Sequence, residues 1–214
     1  MKNKLLGVYD YTVILTYAAL VFGVFGILSA INLDFWNSVI CLMLAGICDM
    51  FDGAVARTKV DRTDAEKRFG IQIDSLADLV NFGVLPAIFV YMICDESVVI
   101  SIVAVLFVLC ALIRLSYFNV LEEERQRQTT GKRKSYLGLP VTSAALILPL
   151  VYLMFDYRMI KNTAIFPIML VLLGSGYIST FHIKKPGVVG KIIVVIIGAV
   201  EAVGMFFVMG WDAV

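Results

Sequence analysis

The chain has 214 residues, of which 60% are hydrophobic and only 16% charged, with a formal net charge of +1 and a mean hydropathy of +0.90. A water-soluble domain averages roughly 45 to 50% apolar residues, so this composition excludes an ordinary soluble fold and predicts one membrane domain over residues 1–214. It also excludes nucleic-acid binding, because no soluble basic domain is present to carry it.

Apolar runs of about 20 residues, the length that crosses a bilayer as a helix, lie near 11–31, 36–57, 70–94, 97–120, 139–155, 162–181 and 188–210. They predict an all-α, polytopic membrane helix bundle of about seven helices. The first run starts at Asp10 and is followed by no small-residue cleavage site, so it reads as a retained span. The last contains Gly198, Glu201 and Gly204 and reads as one interrupted helix or two short ones, which makes the count six to eight.

Orientation follows from the basic residues, which accumulate in cytoplasmic loops. With Lys2 and Lys4 inside, loops 58–69, 121–138 and 182–187 become cytoplasmic and collect nearly all remaining Lys and Arg, leaving Arg158 and Lys161 outside. Asp34, Asp95 and Glu96 then occupy external turns. A basic inner face suits anionic lipid headgroups, and the run Lys132 to Lys134 reads as such a contact. Cys41, Cys48, Cys94 and Cys110 lie in or at the ends of apolar runs without a CxxC pair and read as small buried hydrophobes.

The stretch from 46 to 80 carries Asp49 and Asp52, three apart at the end of the second run, and Asp74 and Asp78, four apart near the start of the third. Each pair shares a helix face. The charged loop between them returns the chain to the same membrane surface, so the pairs can converge at one depth. Four carboxylates there resist burial without a cation. Oxygen ligands without His or Cys suit Mg²⁺ first, then Mn²⁺ or Ca²⁺, and four of them can share two ions about 3.5 to 4 Å apart, as phosphoryl-transfer sites do. Gly53, Ala56 and Gly70 leave room for a ligand near the backbone, and Arg57 can fork onto phosphate oxygens. A metal-bound pyrophosphate fits that set.

The motif DxxDGxxAR (Asp49 to Arg57) followed by GxxxDxxxD (Gly70 to Asp78) resembles the signature of the membrane CDP-alcohol phosphatidyltransferase family. Twelve residues separate Arg57 from Gly70 where that family has about eight, an insertion that costs little in loop closure. The segments IDSLADLVNFGVLPA (73–87), RLSYFNV (114–120) and YLGLPVTSAA (136–145) are similar to the phosphatidylserine synthase branch. Asn81 stands where that branch usually has serine, and Tyr117 where it usually has a second arginine.

The resemblance implies transfer of the phosphatidyl group from CDP-diacylglycerol to the hydroxyl of L-serine, giving phosphatidylserine and CMP. It assigns one divalent ion to Asp49, Asp52 and Asp74 and a second to Asp49, Asp74 and Asp78. The ions are Mg²⁺ or Mn²⁺, with Ca²⁺ as an inhibitor or substitute. The CDP moiety falls to Thr16, Asp52, Gly53, Ala56, Arg57 and Gly70, and Asp78 becomes the general base. It further implies a homodimer, and the basic-residue count puts the site of this cell-membrane protein on the cytoplasmic side.

Arg114, near the cytoplasmic end of the fourth run, reads as the partner of the serine carboxylate rather than a snorkelling cation. Asn119 reads as a helix-end residue, His182 as a surface residue, and Glu201 as an interhelical or subunit contact. Other acceptors on the same site, glycerol 3-phosphate or an inositol phosphate, would need more basic residues than Arg114. An ether-lipid donor of archaeal type fits the same headgroup chemistry. A divalent-cation transporter is the reading from another class, but its carboxylates belong nearer the bilayer midplane.

Overall fold

The computed structural model describes residues 6–128, 135–184, 196–201 and 203–204. Helices α1 (Ile14–Ile31) and α2 (Phe35–Ala56) form a tight hairpin; α3 (Asp64–Asp78) continues through a π-helical turn (Leu79–Val84) into α4 (Leu85–Ile93); and α5 (Val98–Gln128), α6 (Ala144–Asp156) and α7 (Ile165–Ile178) follow. Residues 196–201 and 203–204 are also helical. Strands β1 (Ser135–Leu137) and β2 (His182–Lys184) pair antiparallel, with Leu137 opposite His182.

The chain is an all-α integral membrane bundle carrying this one short ladder. Among the described residues, α1, α2, the continuous stretch Asp64–Ile93 and α5 are long and apolar enough to cross a membrane. Val141–Asp156 and α7 are shorter apolar helices. Lys132 to Lys134, Lys185 and most of the last apolar run lie outside the described residues.

The end of α5, the start of α3 and the turn before α4 differ from the sequence expectation; α5 runs on to Gln128 where the apolar run ends near 120. Helix α3 begins at Asp64 and not near 70, because Thr63 and Glu66 form a reciprocal capping box: Thr63 Oγ1 accepts from the Glu66 N–H at 3.2 Å, and Glu66 Oε2 accepts from the Thr63 N–H at 2.7 Å. The apolar run was blind to this polar first turn. The π-helical turn was likewise unforeseen. Pro86 has no N–H, and its ring crowds the carbonyl four residues back. Just before it the ladder widens, the Leu85 N–H reaching Val80 O five residues away.

Close packing comes from small residues. The buried face of α1 is Thr16, Ala19, Gly23, Gly26 and Ala30, at alternating steps of three and four. A Cβ at Gly26 would lie 2.5 Å from Leu85 Cδ1, and one at Gly46 would lie 2.9 Å from Ala145 Cβ. At Gly23 it would overlap Asn81 Oδ1. Asn81 is fully buried in the π turn, so its side chain has little freedom to yield, and among the described residues neither atom of its amide finds a hydrogen-bond partner.

Gly23→Ala is therefore expected to destabilise the bundle by about 1 to 3 kcal/mol, read as a lower thermal midpoint in detergent. Gly53→Ala is its contrast, since a Cβ there meets nothing within 4 Å. An unchanged midpoint in Gly23→Ala would mean that α1 does not seat against the π turn.

At the end of the bundle formed by the start of α2 and the end of α4, rings interlock. Phe35 meets Phe89 at 5.2 Å between centroids, Trp36 meets Tyr152 at 5.2 Å, and Phe89 meets Tyr152 at 5.5 Å, all edge to face. The aspartates lie away from this cluster, in the C-terminal half of α2 and the last turns of α3. Glu201 is buried, and among the described residues neither of its carboxylate oxygens has a hydrogen-bond partner.

Candidate active site

The last turns of α2 and α3 bring their acidic residues together. Asp49, Asp74 and Asp78 each place a carboxylate oxygen within 4.8 Å of the others, and all three are half-buried. Asp52 is buried and lies outside that triad; its Oδ2 accepts a 2.9 Å hydrogen bond from Thr16 Oγ1 on α1. Thr16 thus holds an aspartate in place.

Among the described residues none of the four aspartates forms an ion pair. Carboxylates this close, without a cationic side chain to offset them, repel one another and resist desolvation. An all-oxygen donor set of this kind fits a hard divalent cation.

Around the triad the surface is shaped by small residues. Gly53 lies one turn from Asp49 on the same helix face and is exposed, with open space where a side chain would be. Ala56 ends α2 half-buried, and Arg57 follows as its exposed C-cap. Gly70 is one turn from Asp74, and the Arg62 guanidinium lies over it: a Cβ there would be 2.6 Å from Arg62 Nη2. Ser75, next to Asp74, donates to Asn119 Oδ1 at 2.7 Å and ties α3 to α5. Asn119 is therefore an interhelical tie and not merely a helix-end residue.

Arg114 is buried on α5. Its Nη1 donates to Leu137 O at 2.8 Å and Tyr177 O at 3.2 Å, while Cζ sits 4.5 Å from the centre of the Phe118 ring. In the same segment Gly138, at φ +63°, donates its N–H to Phe181 O at 2.7 Å, and Leu139 donates to Gly176 O at 2.9 Å. Arg114 thus secures the GLP segment (138–140) to the end of α7. His182 is exposed in β2, as the sequence implied.

Three features of this face escaped the sequence reading. Lys59 bridges Asp10 at 2.8 Å and Glu66 at 3.0 Å, pinning the segment before α1 to the α2–α3 loop. The hydrogen bond from Lys59, followed by that from Thr12, holds the Asp10 carboxyl down at about 2. The other two are the Ser75–Asn119 tie and the Arg62 seat. Thr63-x-x-Glu66 was the available signal for the loop's order; the pairings themselves join residues as far as 49 apart in sequence.

The family model described as CDP-alcohol phosphatidyltransferase matches residues 11–181. The chain is similar to archaetidylserine synthase of Methanothermobacter thermautotrophicus, 40% identical over 61% of this chain and 52% of that protein. It is also similar to CDP-diacylglycerol–serine O-phosphatidyltransferases, 37% identical to that of Saccharomyces cerevisiae over 67% of this chain and 57% of the other. For Methanocaldococcus jannaschii the figures are 32%, 75% and 69%. The chain thus spans little more than half the length of the first two of these relatives.

Proposed function

Since the chain belongs to the CDP-alcohol phosphatidyltransferase family, we propose that it moves the phosphatidyl group of CDP-diacylglycerol onto the hydroxyl of L-serine, releasing CMP. The observation that carries this reading is the meeting of Asp49, Asp74 and Asp78 from two helices, with Asp52 held beside them by Thr16. The names of the serine-transferring relatives support the acceptor.

Asp49, Asp52, Asp74 and Asp78 would hold two divalent ions, Mg²⁺ or Mn²⁺. When bound, such ions neutralise the pyrophosphate and the charge that grows on the departing phosphate. The open surface at Gly53 and Ala56 admits the nucleotide against α2, with Arg57 at its phosphates. Asp78 accepts the proton of the serine hydroxyl as that oxygen bonds to the phosphorus carrying the diacylglycerol. The bond from this phosphorus to the CMP oxygen breaks in the same displacement. No Ser or Cys nucleophile is needed on the protein.

Placing these groups at the ends of membrane helices lets the acyl chains stay in lipid while nucleotide and serine approach from water. The proposed site faces the cytoplasm, and the proposed assembly is a homodimer. The archaetidylserine synthase relative favours one second reading, the same serine transfer from an ether-lipid donor.

The deciding experiment is CMP release by purified protein with Mg²⁺ or Mn²⁺, comparing serine, glycerol 3-phosphate and inositol phosphate as acceptors and ester with ether CDP-lipids as donors. Release that depends on serine alone is expected. Cation flux in proteoliposomes without CMP release would support a transporter instead.

The proposed orientation makes a separate prediction. In a cysteine-free background, a cysteine placed at Asp95 is expected to react with an impermeant external reagent, while one at Thr58 is protected until the membrane is opened. The reverse pattern would invert the topology.

A further inference from the structure

We propose that Arg62 is an additional anion ligand of this site, taking the nucleotide-side phosphate of the donor where it crosses Gly70. The proposal deepens the phosphatidyl-transfer reading and rests on it.

Arg62 belongs to the loop that is longer here than in the family pattern, so its role does not follow from the motif. Because the capping box starts α3 at Asp64, Gly70 lies inside the helix, on the face shared by Asp74 and Asp78. A Cβ at Gly70 would lie 2.6 Å from Arg62 Nη2, so a larger residue there would push the guanidinium off its present seat on that face. The cation therefore sits about 6 Å, one helical turn, before Asp74 along the axis.

Its hydrogen bonding is incomplete. Nη2 donates to Glu66 O at 3.1 Å, whereas Nε is buried and has no acceptor among the described residues. Among the described residues no carboxylate pairs with Arg62. The neighbouring acid, Glu66, is already engaged by Lys59 at 3.0 Å and by the Thr63 N–H at 2.7 Å. Lys59 and the cap thus keep Glu66 from neutralising Arg62.

A guanidinium with no carboxylate partner and N–H donors to spare suits an anion of matching geometry, and phosphate is such an anion. With a donor diphosphate held at the triad one turn away and its acyl end in lipid, the nucleotide-side phosphate would be the anion within reach of the guanidinium over Gly70. Arg57 follows the end of α2 and the Arg62 guanidinium lies on α3 at Gly70, so the two arginines belong to opposite sides of the α2–α3 loop.

Calorimetric titration of the detergent-solubilised full chain with CDP and Mg²⁺ tests this. Arg62→Ala is expected to weaken CDP binding at least tenfold, with Arg62→Lys recovering part of the loss. Gly70→Ala should displace the guanidinium and weaken binding similarly, and adding Arg62→Ala to it should cost little more. In turnover, the KM for the CDP-lipid should rise with the serine KM unchanged.

Equal CDP affinity in wild type and Arg62→Ala overturns the proposal. Tighter binding by Arg62→Ala also overturns it, identifying Arg62 as a plug that the nucleotide must displace. If Arg62→Ala does not fold, wild-type affinity in Arg62→Lys together with Gly70→Ala overturns it as well. Failure of the wild type to bind CDP is distinguishable from all of these and removes the phosphatidyl-transfer reading along with the inference.

Discussion

Asp74→Asn is expected to abolish CMP release, by on the order of a thousandfold or more, while the protein still extracts as a folded membrane protein. Asparagine keeps the size of the side chain and one acceptor oxygen, so packing at the end of α3 changes little. What it removes is a negative charge from a triad whose oxygens lie within 4.8 Å. The same holds for Asp49→Asn on α2.

Stability should move the other way. Without added metal, removing one of three mutually repelling carboxylates should leave the thermal midpoint unchanged or raise it. With Mg²⁺ or Mn²⁺ the wild type should gain stability by mass action, and the variants should gain less. EDTA should reversibly suppress wild-type turnover. Full turnover in excess chelator, or in Asp74→Asn, would end the metal-dependent reading. Metal-induced stabilisation that survived in both variants would place the ions elsewhere.

Arg114→Lys should raise the serine KM roughly tenfold to a hundredfold, matching the loss of about 1.5 to 3 kcal/mol for a charge-assisted bidentate contact, and leave the KM for the CDP-lipid nearly unchanged. Lysine keeps the charge but loses the fork. The structure adds a second cost, because Nη1 bridges Leu137 O and Tyr177 O, and an ammonium on a flexible stem reproduces that bridge poorly. The thermal midpoint should therefore fall as well.

The two effects separate cleanly. A residue that only ties the GLP segment to α7 would lower stability and disturb both substrates alike. A residue on the acceptor side shifts serine selectively at temperatures where the variant is fully folded. Equal changes in both KM values would remove Arg114 from the site and leave it as a tie. The case for serine would then rest on the relatives.

Hydropathy alone was enough to read an all-α membrane protein and to locate six helical passages within several residues, because burial in lipid demands long apolar runs with internally bonded backbones. The aspartate spacing was equally legible: three and four residues are neighbours on any helix, so the pairs Asp49/Asp52 and Asp74/Asp78 could be drawn on one face before any fold was known. The motif also carried the family.

Only the tertiary structure decided how the pairs meet. Asp49 joins Asp74 and Asp78, while Asp52 turns to Thr16, 36 residues away in sequence. It likewise gave Arg114 its bonds to carbonyls 23 and 63 residues away, and laid Arg62 on Gly70. Periodicity describes what one helix presents to its own neighbours along the chain. Which helix faces it, and at what depth, depends on the close approaches that Gly23, Gly26 and Gly46 permit and on the π turn before Pro86, and these contacts between distant segments leave no periodic trace in the sequence.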